Sequence, residues 1–155
     1  EPLIQENFSR IMSLKDGTKK MSKSDPSDQS RINMSDEKDQ IINKIKKAKT
    51  DSAELPESDE NLNKRPELIN LYGIFSSLQN QSLNSTINEF KGKNFSDFKN
   101  KLAEVLVEKI CPISNEINKL LKDKKYIDEV LASGSVLAEK IARKKVEDIK
   151  QKIGF

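Results

Sequence analysis

From residue 66 onward the apolar positions recur at three- and four-residue spacing, which puts them on one side of a helix. Pro66 suits the first helical position, where its missing N–H loses no partner. Leu68, Leu71, Tyr72, Phe75 and Leu78 then share a face. Ser82 is placed to cap a short helix that runs to Phe90, and Lys91-Gly92-Lys93 to end it. Ser96 reads as the cap of a longer helix with a stripe of Phe98, Leu102, Val105, Leu106 and Ile110. Pro112 is predicted to kink or break that helix, since an interior proline removes a hydrogen bond and crowds the preceding turn. Ile113, Ile117, Leu120 and Leu121 continue the pattern. Tyr126, Ile127, Val130 and Leu131 begin another helix, with an interruption predicted near Ser133-Gly134-Ser135. Val136, Leu137, Ile141, Val146, Ile149 and Ile153 form the last stripe.

The first 65 residues are patterned differently. The short apolar run ending at Leu14 is stopped by Asp16-Gly17 and reads as a brief extended segment feeding a loop. Residues 15–31 are polar, with Gly17 and Pro26 as breakers. Ser35 is predicted to cap a helix carrying Ile41, Ile42 and Ile45, with Lys44, Lys46, Lys47 and Lys49 toward its C-terminus, where the helix dipole favours cations. Residues 50–65, rich in Asp, Glu, Ser and Asn, read as a linker with too little apolar content to stay packed. The predicted fold class is mainly α: a bundle of about five or six helices after an irregular first stretch.

Composition narrows the chemistry. Apolar and charged residues each make up 34% of 155, which suffices for a core if the helices carry narrow apolar stripes. A net charge of +3 is compatible with a polyanionic partner without singling one out. No stretch approaches the roughly 20 apolar residues of a membrane span. The chain opens on Glu1-Pro2 rather than Met and reads as a piece of something longer. The single Cys111 excludes an internal disulfide framework and suits a reducing cytosol. With no histidine, the sequence has no Ser-His-Asp or Cys-His arrangement and no histidine metal ligand, so Cys111 reads as a packing residue. Carboxylate, lysine and electrostatic chemistry remain.

The densest chemistry lies between Gly17 and Pro26: Lys19, Lys20 and Lys23 with Ser22 and Ser24. Ammonium and hydroxyl groups on a loop are what holds a polyphosphate, and closing loops deliver such charge at the moment of reaction. A solvated basic turn has the same composition, and composition leaves both readings standing. Arg10 reads as surface charge rather than a nucleotide contact, Asp25 and Asp28 as turn residues, Tyr72 and Phe75 as core. Near the C-terminus Lys140, Arg143, Lys144, Lys145, Lys150 and Lys152 outnumber Glu147 and Asp148, which fits either a phosphate-backbone contact or a solvated face.

Lys20 to Ser24 spells KMSKS, which resembles the signature loop of class I aminoacyl-tRNA synthetases. Together with Arg10-Ile11-Met12-Ser13-Leu14 and Thr18 to Pro26, it resembles the tryptophanyl enzymes of bacterial type. The resemblance continues through Thr50-Asp51-Ser52, Leu68 to Tyr72, Phe90 to Lys93 and Leu102 to Leu106. It implies that residues 1–49 end a Rossmann-like catalytic domain and carry the loop, that 50–65 link, and that 66–155 form a helical tRNA anticodon-binding domain. It implies further that tryptophan is activated with ATP to an adenylate and pyrophosphate, then transferred to tRNA(Trp). By the same resemblance Lys23 contacts the pyrophosphate in the transition state and Lys20 supports the same phosphates. Ser22 and Ser24 hydrogen-bond phosphate or shape the loop, and the backbones of Ile11 and Met21 lie against the adenine. Mg2+ rides with ATP, with no metal ligand expected from this chain. The tryptophan pocket is expected upstream, the full-length parent as a cytoplasmic homodimer away from membranes, and this part alone as inactive. Two other readings stand beside it: a tyrosyl-type synthetase, and a non-enzymatic helical binding module in which the loop spelling is accidental.

Overall fold

The structure, a computed structural model, describes residues 8–154. The first seven residues of the segment expected to be extended lie outside that range. Among the described residues there are five α-helices: α1 (Lys38–Lys47), α2 (Pro66–Gln79), α3 (Leu83–Phe90), α4 (Phe95–Lys122) and α5 (Lys124–Ile153). β structure among them is one antiparallel bridge, Met12 to Lys20. The architecture is mainly α, as the periodicity predicts. The chain divides into two compact units, one through Asn115 and one from Glu116.

The core of the first unit is built on four aromatic rings from three helices, Tyr72 and Phe75 of α2, Phe90 of α3 and Phe98 of α4. Tyr72 meets Phe98 edge-on at 4.8 Å, Phe90 meets Phe98 at 4.9 Å and Phe75 meets Phe90 at 5.1 Å. These are arrangements that the ring quadrupole favours. Ile41 and Ile45 of α1, Leu68 and Leu71 of α2, Ile87 of α3, and Leu102 and Leu106 of α4 surround them. The Tyr72 hydroxyl is buried without a hydrogen-bond partner, and burial pushes it up to about 12.

α2 is buried on more than the one face that its stripe predicts: Asn70, Gly73 and Ser76 are inside as well. It packs on α3 and also carries the hairpin that bears the candidate loop. The segment 50–65 is better packed than its composition predicts. Leu55 and Leu62 reach the core. The Arg65 guanidinium donates to both Asp51 carboxylate oxygens at 2.7 and 2.8 Å and to the Glu54 carbonyl at 2.8 Å. Two leucines suffice for burial because one arginine satisfies the polar groups around them.

Four local expectations are corrected. Glu37, not Ser35, caps α1, closing a capping box with Gln40, because Asp36 is drawn inward by Lys44 and Asn33. Asn94, not Ser96, caps α4, its side-chain oxygen accepting from Asp97 N–H at 2.9 Å. α4 is not broken at Pro112 but runs through it, with Leu106, Ile110 and Ser114 buried on either side. α5 runs through Ser133-Gly134-Ser135, since an interior glycine costs a helix only about 1 kcal/mol relative to alanine.

In the second unit, Asp123 caps α5 by accepting from Tyr126 N–H at 3.0 Å, and Gly154, at φ 85°, ends it. No residue of α5 is buried, and its apolar stripe faces solvent, with Leu131 65% and Ile141 76% exposed. No described helix is long and apolar enough to cross a membrane.

Candidate functional site

The loop singled out by the sequence is carried on a two-armed hairpin. Ser13 N–H donates to Lys19 C=O at 2.8 Å and Met21 N–H to Ile11 C=O at 3.0 Å, which sets Met12 opposite Lys20. Its turn is built by Asp16, whose carboxylate accepts from Thr18 Oγ1 at 2.6 Å and Thr18 N–H at 3.0 Å. Those two bonds hold the Asp16 carboxyl below its ordinary value. Lys49 N–H and Ser30 C=O bracket Leu14, at 2.7 and 2.9 Å, so the incoming arm is tied to the chain on both sides of α1.

Gly17 is in this turn for lack of a side chain. A Cβ there would lie 2.5 Å from the Pro66 carbonyl carbon and the Glu67 nitrogen, so the turn sits directly on the start of α2. Beside it Lys49 pairs with Glu67 at 2.8 Å, which keeps the Glu67 carboxyl below its ordinary value.

Past Lys20 the chain makes a second tight turn. Ser24 N–H donates to Ser22 Oγ at 3.2 Å and Asp25 N–H to Ser22 C=O at 3.4 Å. Lys20, Ser22, Lys23 and Ser24 are all exposed. Among the described residues, neither the Lys20 nor the Lys23 ammonium has an ion pair or hydrogen bond. Two uncompensated cations and two hydroxyls within five residues, on a turn with a fixed base, present an anion-binding surface. Ile11 and Met21, half-buried, are joined through their backbones. Their side chains line an apolar cavity of about 200 Å³ with Ile32, Ile45, Ile74 and Leu106.

The base of the turn is an ionic cluster. Arg31 donates to the Asp25 carbonyl at 3.0 Å and pairs with Asp28 at 3.2 Å. Lys44, only 5% exposed, lies 2.7 Å from Asp28 and 2.6 Å from Asp36. The hydrogen bond from Lys44 is the main cause holding the Asp28 carboxyl below its ordinary value. Asp25 is the turn residue expected, accepting from Ser27 N–H at 2.8 Å, but Asp28 is more than that. The sequence reading missed Lys44, assigned to the helix dipole. Its signal was there: it lies three residues after Ile41 and beside Ile45, on the buried stripe. Asn70 was missed in the same way. It is a polar residue between Leu68 and Leu71, and both its amide groups bond to Met12.

The six basic residues of the C-terminal stripe are exposed on α5, where Arg143 pairs with Glu139. Among the described residues no three carboxylate, cysteine or histidine side chains gather as a metal site.

Comparisons with known proteins bear on this loop. The sequence profile of the family described as tRNA synthetases class I (W and Y) matches residues 2–110. Over all 155 residues the chain is 49% identical to the tryptophan–tRNA ligase of Agrobacterium fabrum and 46% identical to that of Brucella melitensis. It covers 44% of each, so it spans less than half the length of these relatives. The crystal structure of tryptophanyl-tRNA synthetase from Mycoplasma pneumoniae matches at a TM-score of 0.71 and 25% identity, over 97% of this chain and 45% of that one. That of the Campylobacter jejuni enzyme, complexed with ADP and tryptophan, shares the fold at a TM-score of 0.73 and 24% identity, over all of this chain and 46% of that one.

Proposed function

Because the chain belongs to the class I tRNA synthetases of the tryptophan and tyrosine type, we propose that it supplies the phosphate-binding loop of a tryptophan–tRNA ligase. In that reaction the tryptophan carboxylate attacks the α-phosphate of ATP, pyrophosphate leaves, and the tryptophanyl group passes from the adenylate to tRNA(Trp). Negative charge builds on the leaving phosphates, and stabilising it needs positive groups placed in advance. Lys23, at the exposed turn, is the group assigned to the pyrophosphate, with Lys20 at its flank. Ser22 and Ser24 offer hydroxyl donors to the same oxygens. The joined backbones of Ile11 and Met21 form the ledge for the adenine. Mg2+ enters with the nucleotide, ligated by its phosphates.

The observation that carries this reading is the pair of unpartnered ammoniums, Lys20 and Lys23, on a turn whose base is fixed by Arg31 and Lys44. A merely solvated basic turn has no need of such a base. The tryptophanyl rather than tyrosyl assignment is supported by relatives that are tryptophan–tRNA ligases along the whole chain. The exposed cations of α5 are assigned to the tRNA phosphate backbone, within a helical anticodon-side region from residue 66, and the parent to a cytoplasmic homodimer. The remaining length of the relatives is where the tryptophan pocket and the rest of the ATP site belong. The test is amino-acid-dependent ATP–pyrophosphate exchange by the full-length protein, with tryptophan, tyrosine or neither. Exchange with tryptophan alone is the expected result. Exchange with tyrosine changes the substrate, and none with either from folded protein overturns the reading.

A further inference from the structure

In the hairpin the cross-strand bonds are made by the neighbours of Met12 and Lys20, so Met12's own N–H and C=O point away from the opposite arm. Both are taken by a single side chain, that of Asn70. Its Oδ1 accepts from Met12 N–H at 2.9 Å, and its Nδ2 donates to Met12 C=O at 2.9 Å. Asn70 is 6% exposed and lies 58 residues along the chain, on α2. A primary amide carries one acceptor and one donor side by side, as a strand does, whereas a carboxylate or an aliphatic side chain does not. Asn70 therefore stands in for a neighbouring strand. Gly17 against Pro66 and Glu67 seats the turn of the same hairpin on the first turn of α2.

We infer that Asn70 is a positioning residue for the phosphate loop: by fixing Met12 it fixes Lys20 opposite, and with it the reach of Lys20 and Lys23 toward the leaving phosphates. The inference rests on the phosphate-loop reading above. A displacement of about 1 Å at a reacting group costs on the order of 10²-fold in rate. Because the contact is made by lysines mainly in the transition state, the loss falls on kcat rather than on ATP binding.

The test uses the full-length protein, with Asn70→Leu, of the same branched shape but without the amide, and Lys23→Ala, separately and combined. Folding is checked by near-ultraviolet circular dichroism. Asn70→Leu is expected to lower kcat for tryptophan-dependent pyrophosphate exchange about 10²-fold, with KM for ATP within about threefold of wild type. In the Lys23→Ala background the same change is expected to cost clearly less than in the wild type, about tenfold or under, since only Lys20 of the two groups it positions remains. A folded Asn70→Leu enzyme with wild-type kcat overturns the inference, as does a full cost that adds to that of Lys23→Ala. If Lys23→Ala itself exchanges at the wild-type rate, the phosphate-loop reading fails and takes this one with it. Sensitivity to Lys23 without sensitivity to Asn70 sinks the role of Asn70 alone. Should Asn70→Leu not fold, Asn70→Ser, with room for a bridging water, is read by the same cycle, with a smaller loss in the same direction expected.

Discussion

Gly17→Ala adds one methyl group where the structure has no room. The new Cβ would stand 2.5 Å from the backbone of Pro66 and Glu67. Carbon atoms at contact prefer 3.5–4.0 Å, so the turn and the helix start must part by about 1 Å. The helix side does not yield easily, because Arg65, the residue before Pro66, is held by Asp51 and Glu54. The Asp16–Thr18 turn moves instead, and the hairpin moves with it. Overpacking of this kind costs about 1–3 kcal/mol in stability. A 1 Å shift of the loop costs on the order of 10²-fold in activation. The assay is tryptophan-dependent pyrophosphate exchange by the full-length protein, beside its thermal denaturation. Gly134→Ala is the control: its Cβ meets nothing within 4 Å, so it should stabilise α5 by about 1 kcal/mol and leave exchange unchanged. A folded Gly17→Ala protein that exchanges within twofold of wild type would refute the argument that this contact places the loop.

Three further outcomes follow from the same geometry. Lys23→Ala should slow activation about 10³-fold or more without moving the melting temperature, and Lys23→Arg should restore little, because a planar fork does not replace a compact ammonium; a Lys23→Ala rate near wild type would remove the assigned role. Tyr72→Phe deletes a buried hydroxyl without a partner and should stabilise the protein by about 1 kcal/mol in thermal denaturation; a lower melting temperature would mean that the hydroxyl does useful bonding. Glu67, whose carboxyl Lys49 holds below the ordinary 4.5, contributes stability above that pH and loses it as the pH falls through its lowered folded value. The gap in melting temperature between wild type and Glu67→Gln should therefore narrow below pH 4.5, and a gap independent of pH would show that the pair adds nothing.

The helices were legible because Phe98, Leu102, Val105 and Leu106 report their own periodicity. Their ends were less so. Ser35 and Asp36 both suit a cap, and what decides between Ser35 and Glu37 is Lys44, eight residues on from Asp36, which no local rule consults. Pro112 and Gly134 carry real local costs, and the helices run through them all the same. The loop was legible through its spelling and lysine density. Its supports were not, because Asn70, Gly17 and Lys44 act on residues distant in the chain. A buried asparagine is visible in sequence only as a polar letter in an apolar row, and a glycine used for close approach looks like one used for a turn.

The pairing around the hairpin has a consequence for the chain's dealings with other molecules. A two-stranded ribbon ordinarily leaves its outer edge open to any extended peptide that can extend the sheet. Here Asn70 occupies both outward groups of Met12, while Ser30 and Lys49 occupy the N–H and C=O of Leu14. The arm that carries the loop is thereby kept from recruiting a stray strand, and intermolecular β-pairing has no foothold at these positions.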